Sequence, residues 1–203
     1  MLYARLLTLL AALVCGALRA LAQAPAPAPP APGAFAFPPK IGLAELVNTQ
    51  DFEKDQPGLG QLGQYRFQGW RMGVYVYDKK RTDIPAEAHP EQSRAEANEG
   101  VLDVRELLKR GEYVKVEEGQ PFAVPPFATP AQFFCRSLRL QRKPQPNATK
   151  PEDLYDSFIC VTTWKKKFVK VRLSADTPSS SPATVFVPAV SALELLGRML
   201  GRM

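Results

Sequence analysis

The hydrophobic and polar positions of residues 60–78 alternate with the two-residue period of β-strands. Tyr65 and Phe67 alternate with polar neighbours, and Val74 and Val76 do so further along. Two such segments separated by a glycine-containing turn are typical of a β-hairpin. The pattern therefore predicts a hairpin across this stretch.

A second period, that of an amphipathic helix, runs from residue 90 to residue 109. Ala97, Val101, Val104 and Leu108 form one apolar stripe with helical spacing. A proline at the start and a glycine shortly after the last lysine are typical of helix ends. We predict a helix over these residues.

The remaining patterned segments complete the predicted element order. A short strand is expected at residues 113–116, a longer one at 133–141, and two strands within 157–173 joined near Lys165–Lys167. Residues 189–200 repeat their leucines with helical spacing. This order predicts an α+β fold, with a mostly antiparallel sheet covered by helices.

A glycine motif precedes the hairpin. Gly58, Gly60 and Gly63 have the G-x-G-x-x-G spacing of a dinucleotide-binding loop. In that loop the glycines follow an apolar strand and open a helix. Here the preceding stretch, DFEKDQP, is polar and the following one is β-patterned. We therefore predict that these glycines form a tight turn into a strand.

The N-terminal residues have the layout of a secretory signal peptide. Arg5 precedes an apolar run over residues 6–18, and small residues precede the predicted cleavage after Ala22. The run is shorter than the ~20 residues that span a bilayer, which disfavours an uncleaved anchor. Lipidation at Cys15 is a third option, disfavoured by the bulky Val14 before it.

Proline-rich composition separates this signal from the patterned region. Seven prolines stand between residues 25 and 39, and such a stretch favours extended polyproline II structure. The sequence thus predicts a signal peptide at 1–22, a disordered Pro/Ala-rich tether at 23–39 and a single α+β domain at 40–203. The expected product is periplasmic or secreted, without a transmembrane helix after signal cleavage.

The closing strand, FVKVRL, and the final helix resemble the end of a PsbP-like α/β/α sandwich. The PGLG and VYVYD stretches and Asp83-Ile84-Pro85 are similar to those of uncharacterised secreted or periplasmic proteins of Gram-negative bacteria. This resemblance implies a PsbP-like sandwich fold and an envelope location. It implies no catalytic residues.

Candidate catalytic chemistry is sparse. His89 is the single histidine, and no serine or cysteine motif accompanies it. His89, Cys135 and Cys160 lack the spacing of a metal site. The adjacent carboxylates Glu117 and Glu118 would point to opposite faces of a strand. We assign no catalytic, metal or cofactor residues and expect a non-enzymatic binding or assembly module; the alternative is a periplasmic hydrolase that uses carboxylates.

Charge is unevenly distributed along this chain of formal net charge +6. Acidic side chains dominate residues 83–118, and basic ones dominate residues 131–173. An anionic envelope component or an acidic protein is a possible partner, and export disfavours nucleic acid. The alternative is a solvated face whose lysines discourage edge-to-edge strand pairing. The candidate binding residues are Lys165, Lys166, Lys167, Lys170 and Arg172.

A disulfide between Cys135 and Cys160 is expected in an exported chain, because that compartment oxidises thiols. Antiparallel pairing of segments 133–141 and 156–163 would place the two cysteines opposite each other. The same register pairs Phe133 with Thr162, Ser137 with Phe158 and Arg139 with Asp156. The alternative is two small core residues that never meet.

Overall fold

The computed structural model describes residues 35–125, 132–143, 154–178 and 182–203, with side chains from residue 187 onward in the last range. The predicted signal peptide and residues 23–34 of the predicted tether lie outside these ranges. The strands are β1 (Lys40–Ile41), β2 (Ala44–Asp51), β3 (Gln61–Phe67), β4 (Trp70–Tyr77), β5 (Tyr113–Glu118), β6 (Phe122–Val124), β7 (Phe133–Arg142), β8 (Tyr155–Trp164) and β9 (Lys167–Ala175). The helices are α1 (Pro90–Lys109) and α2 (Pro182–Leu200).

The nine strands of the described ranges form one antiparallel sheet. Its order is β1-β2-β3-β4-β9-β8-β7-β5, and β6 pairs with the part of β7 that β5 leaves free. The centre of the sheet is the ladder between β4 and β9, in which Val74 pairs with Val171. This ladder joins the N-terminal strands to the C-terminal hairpin.

The predicted fold class, an α+β sandwich with helices covering the sheet, is wrong. The protein is dominated by the large antiparallel sheet, and only two helices accompany it in the described ranges. Helix α1 packs mainly over β5, β7 and β8, which leaves β2, β3 and all of β4 except Tyr77 without a helix on that face. The error arose because β1, β2 and β6 were not predicted, and β2 in particular buries only Ala44 fully.

Apolar side chains pack on each face of the sheet, and each helix contributes to a different one. On one face α2 brings Leu193 and Leu196 to a core that includes Val169 and Val171. On the other face α1 brings its apolar stripe to a core that includes Phe168. This alternation along β9 follows from the two-residue period of a strand.

Most individual elements agree with their predicted positions. The hairpin in residues 60–78 is confirmed as β3 and β4, and the helix over Pro90–Lys109 is confirmed with the same bounds. Helix α2 begins at Pro182, earlier than the predicted residue 189. Pro188 lies inside it, and an internal proline removes a helical hydrogen bond, so the sequence pattern breaks there.

The predicted register of β7 and β8 is confirmed. Cys135 lies opposite Cys160, and the two form a disulfide pair with both side chains fully buried. Ser137 faces Phe158 and Arg139 faces Asp156, as expected. The ladder begins one position after Phe133, with Phe134 opposite Val161.

The glycine motif builds the turn into β3. The backbone N–H groups of Gly58 and Gly60 donate to the two carboxylate oxygens of Glu53 at 3.0 and 2.9 Å. Both glycines have positive φ, +95° and +70°. Gly63 lies within β3 against Phe37, where a Cβ would stand 2.4 Å from the ring. Gly58 and Gly60 therefore form the turn, and Gly63 lies within the strand that follows it.

Candidate functional site

An open groove of about 460 Å³ lies on the same sheet face as α1, beside the helix and over strands that the helix does not cover. Strands β3, β4 and β9 form its floor, and Tyr113 and Arg142 of β5 and β7 line it as well. Gly73 faces Arg172 across the β4–β9 ladder, so no side chain fills that point of the floor. We call this the arginine groove after Arg66, Arg71, Arg142 and Arg172.

Two of these arginines stand directly opposite each other. Arg66 of β3 and Arg71 of β4 are cross-strand partners in the hairpin. Like charges in that position are destabilising. Arg71 is partly neutralised, because its Nε lies 2.7 Å from Oδ1 of Asp176. Arg66 lies opposite Glu45 of β2, but Glu45 pairs with Lys40, and within the described ranges no carboxylate forms an ion pair with Arg66.

The other two arginines interact with tyrosines rather than with acids. Nη2 of Arg172 donates to the hydroxyl of Tyr113 at 3.1 Å, and the guanidinium of Arg142 lies 5.5 Å from the ring centroid of Tyr155. Neither arginine has a carboxylate within 4 Å among the residues that the structure describes. The groove therefore holds two guanidinium groups, those of Arg142 and Arg172, whose described contacts are with tyrosines and not with carboxylates.

Lys170 stands two residues before Arg172 on the same face of β9. Its Nζ lies 5.2 Å from the ring centroids of both Tyr75 and Tyr77. Burial lowers the pKa of Lys170 from its ordinary value, against the attraction of Asp103 and Glu96, which raises it. Lys170 therefore places its ammonium group between two aromatic rings, on the same strand face as Arg172.

The structure places the five basic residues predicted from sequence in two different locations. Lys170 and Arg172 share a face with Phe168, as the strand period predicted. Lys165 and Lys166 form the turn between β8 and β9, with positive φ at both positions. Whether the set binds an anion stays a prediction.

Lys165 and Lys167 each have a polar partner in the structure. Nζ of Lys167 lies 3.0 Å from Oδ2 of Asp78, and Nζ of Lys165 donates to the backbone carbonyl of Met203 at 2.7 Å. Lys165 also lies 4.7 Å from the ring centroid of Trp164. Lys165, Lys166 and Lys167 are not among the residues that line the arginine groove.

Sequence reasoning did not identify Arg66, Arg71 and Arg142. A signal for the first two was present, because a hairpin centred on Gln68-Gly69 makes Arg66 and Arg71 cross-strand neighbours. Such a costly like-charge pair is a mark of a ligand site. Arg142 gave no signal, because its place in the groove depends on pairing between distant segments.

The other residues considered for chemistry have structural contacts. His89 caps α1, and its Nδ1 accepts from the backbone N–H of Gln92 at 3.4 Å. Glu117 pairs with Lys115 at 2.6 Å, and this hydrogen bond lowers the pKa of the Glu117 carboxyl. Glu118 binds arginines on the α1 side of the sheet.

The described ranges contain neither a metal-binding cluster nor a membrane-spanning helix. No group of three or more histidine, cysteine, aspartate or glutamate side chains there could hold a metal ion. No helix within those ranges is both long and apolar enough to cross a bilayer.

Replacing Lys170 by methionine should raise the free energy of unfolding at neutral pH. Because burial lowers its pKa, the folded state binds this proton less tightly than the unfolded state does. The free energy of unfolding of the wild type therefore rises with pH between the lowered pKa of the folded state and the unfolded value of ~10.4. Over the same pH range the difference in stability between Lys170→Met and the wild type becomes smaller. Urea unfolding at several pH values measures the difference.

The matched control is Lys166→Met, which removes the same charge from an exposed turn and should change little. A Lys170→Met variant less stable than wild type at neutral pH would contradict the prediction. It would mean that attraction between the ammonium and the two tyrosine rings outweighs the cost of burial.

Comparisons of the chain with protein-family models, with curated proteins and with solved structures each give no match.

Proposed function

We propose that the chain is an exported, non-enzymatic binding module that holds an anionic ligand in the arginine groove. The observation that carries the proposal is the convergence of Arg66, Arg142 and Arg172 on one concave site, where none of them forms an ion pair with a carboxylate of the described ranges. An anion in the groove would reduce the repulsion among these groups and form charge-assisted hydrogen bonds with them.

The chemistry of the groove favours a phosphate or a carboxylate. A guanidinium presents its N–H donors in a planar fork that matches either anion with two parallel hydrogen bonds. Gln64, Tyr75 and Tyr113 add an amide and two hydroxyl groups to the same lining. This set of donors fits recognition of an oxyanion, such as an anionic component of the cell envelope.

The predicted export of the chain supports the same setting. The signal-like N-terminus predicts passage out of the cytoplasm, and the paired Cys135 and Cys160 are compatible with an oxidising compartment.

Binding of methyl phosphate, measured by isothermal titration at low salt, tests the proposal. Arg172→Gln and Arg142→Gln should each weaken binding by roughly tenfold or more, because a hydrogen bond to a charged group contributes ~1.5 to 3 kcal/mol. Binding should weaken as salt is added, since the groove is open to solvent.

Two controls make the same charge change outside the groove. Arg94→Gln on the exposed side of α1 and Lys166→Gln in the β8–β9 turn should leave the affinity unchanged. Loss of binding in Lys166→Gln with retention in Arg172→Gln would move the site to the turn lysines. Absence of methyl phosphate binding by wild type at low salt would overturn the proposal.

A further inference from the structure

A second cleft of about 300 Å³ adjoins the arginine groove. Most of its lining is apolar or aromatic, and three charged side chains complete it. The lining residues are Phe52, Leu59, Tyr75, Tyr77, Lys79, Asp103 and Lys170.

The groove and the cleft meet at Tyr75, which lines both of them. Lys170 faces Tyr75 across the β4–β9 ladder, and Arg172 lies two residues further along the same face of β9. The combined depression therefore has guanidinium groups at one end and aromatic and aliphatic side chains at the other.

Hydrogen bonds of a tight turn hold the apolar end of the depression in place. Leu59 is 48% exposed, and it stands between Gly58 and Gly60 in the turn that the Glu53 carboxylate holds. Its own N–H donates to the carbonyl of Gln56 at 3.1 Å. The turn thus fixes an exposed leucine at the wall of the cleft instead of burying it.

The two ends of the depression differ in charge. Asp103 and Lys170 both line the cleft, and their opposite charges offset each other there, whereas the groove lining includes four arginines. Lys79 is already paired, with its Nζ 2.7 Å from Glu96 and 2.6 Å from Glu99. The anionic part of a ligand is therefore favoured at the arginine end and an uncharged part at the cleft.

We propose that the ligand is a single-chain alkyl phosphate. Its phosphate binds Arg142 and Arg172, and its chain passes Tyr75 and packs against Phe52 and Leu59. This inference rests on the proposed function, because it requires the arginine groove to bind the anion. It adds that the same ligand carries an apolar chain.

A chain-length series tests the inference: methyl, butyl and octyl phosphate, each titrated as a monomer into the full-length protein. Burial of one methylene group strengthens binding roughly fourfold at most. Because the cleft is half open, we expect octyl phosphate to bind on the order of tenfold more tightly than methyl phosphate. Arg172→Gln should weaken binding of every member of the series.

Leu59→Ser should abolish the gain with chain length and leave methyl phosphate affinity unchanged. The matched control is Leu102→Ser, since Leu102 on α1 is also half exposed, at 53%, and lies outside the cleft. Retention of the chain-length gain in Leu59→Ser would overturn the inference. Thermal unfolding of each variant verifies that it is folded before binding is compared.

The remaining outcomes separate this inference from the proposed function. Equal affinities for methyl and octyl phosphate would overturn the proposal that the ligand carries an alkyl chain, but would not contradict the anion site. Absence of binding by the whole series would overturn both. Equal binding of neutral octyl glucoside would overturn recognition of the phosphate, and binding confined to phosphatidylglycerol vesicles would replace the monomeric ligand by a membrane surface.

Discussion

Replacing Cys135 and Cys160 together by alanine should lower the free energy of unfolding by about 3 to 4 kcal/mol. The two residues are separated by 25 positions, and their bond closes that loop in the unfolded chain. Loop closure reduces the entropy of the unfolded state, and this is the origin of the expected effect in the chain-entropy account. Urea unfolding of oxidised wild type and of the double variant measures the difference.

Reduced wild-type protein is the matched control, because reduction removes the bond and keeps both side chains. Its unfolding midpoint should fall close to that of the double variant. Thiol titration of unreduced, denatured protein from the periplasmic fraction gives an independent test. Two free thiols in that sample, or a midpoint insensitive to reductant, would contradict the prediction.

The second large effect is expected for Gly60→Ala, which should cost about 2 to 5 kcal/mol of stability. A Cβ on Gly60 would stand 1.9 Å from the carbonyl oxygen of Val76 and 2.7 Å from Cα of Tyr77. Neither is the end of a flexible side chain, so the backbone of the turn or of β4 must move. The positive φ of +70° adds the strain of a left-handed conformation.

Gly69→Ala separates these two contributions. Gly69 has a similar φ, +76°, but an added Cβ there would meet nothing within 4 Å. Gly69→Ala should therefore lower the free energy of unfolding only by the cost of the left-handed conformation, about 1 kcal/mol. Equal unfolding midpoints for Gly60→Ala and Gly69→Ala would show that the contact with β4 is not the cause.

Sequence patterns predicted the elements whose side chains alternate clearly between core and solvent. The β3–β4 hairpin and α1 belong to this group, because each buries a regular set of apolar residues. The β7–β8 register was predicted from the pairing of Cys135 with Cys160, because β8 is buried along nearly its whole length and does not alternate. Strand β2 was missed for the opposite reason. Its side chains are mostly exposed, and a bulge between Leu46 and Asn48 interrupts its alternation. Without β2 the sheet was predicted too small and the helices too prominent.

The candidate site was predicted only where it lies within one element. Lys170 and Arg172 are neighbours on β9, so their common face follows from the period of the strand. Arg66 and Arg142 join them only through the long-range strand order. A groove assembled from β3, β7 and β9 therefore has no local signature in the sequence.

The position of the β4–β9 ladder bears on how the chain folds. Each hairpin beside it closes a short loop, whereas Val74 must meet Val171 from the opposite half of the chain. Loop-closure entropy makes such distant pairing slow relative to local pairing. The two hairpins are therefore expected to form early, and their union to limit the folding rate. Until that union, the edges of β4 and β9 offer open hydrogen-bonding groups to any neighbouring chain.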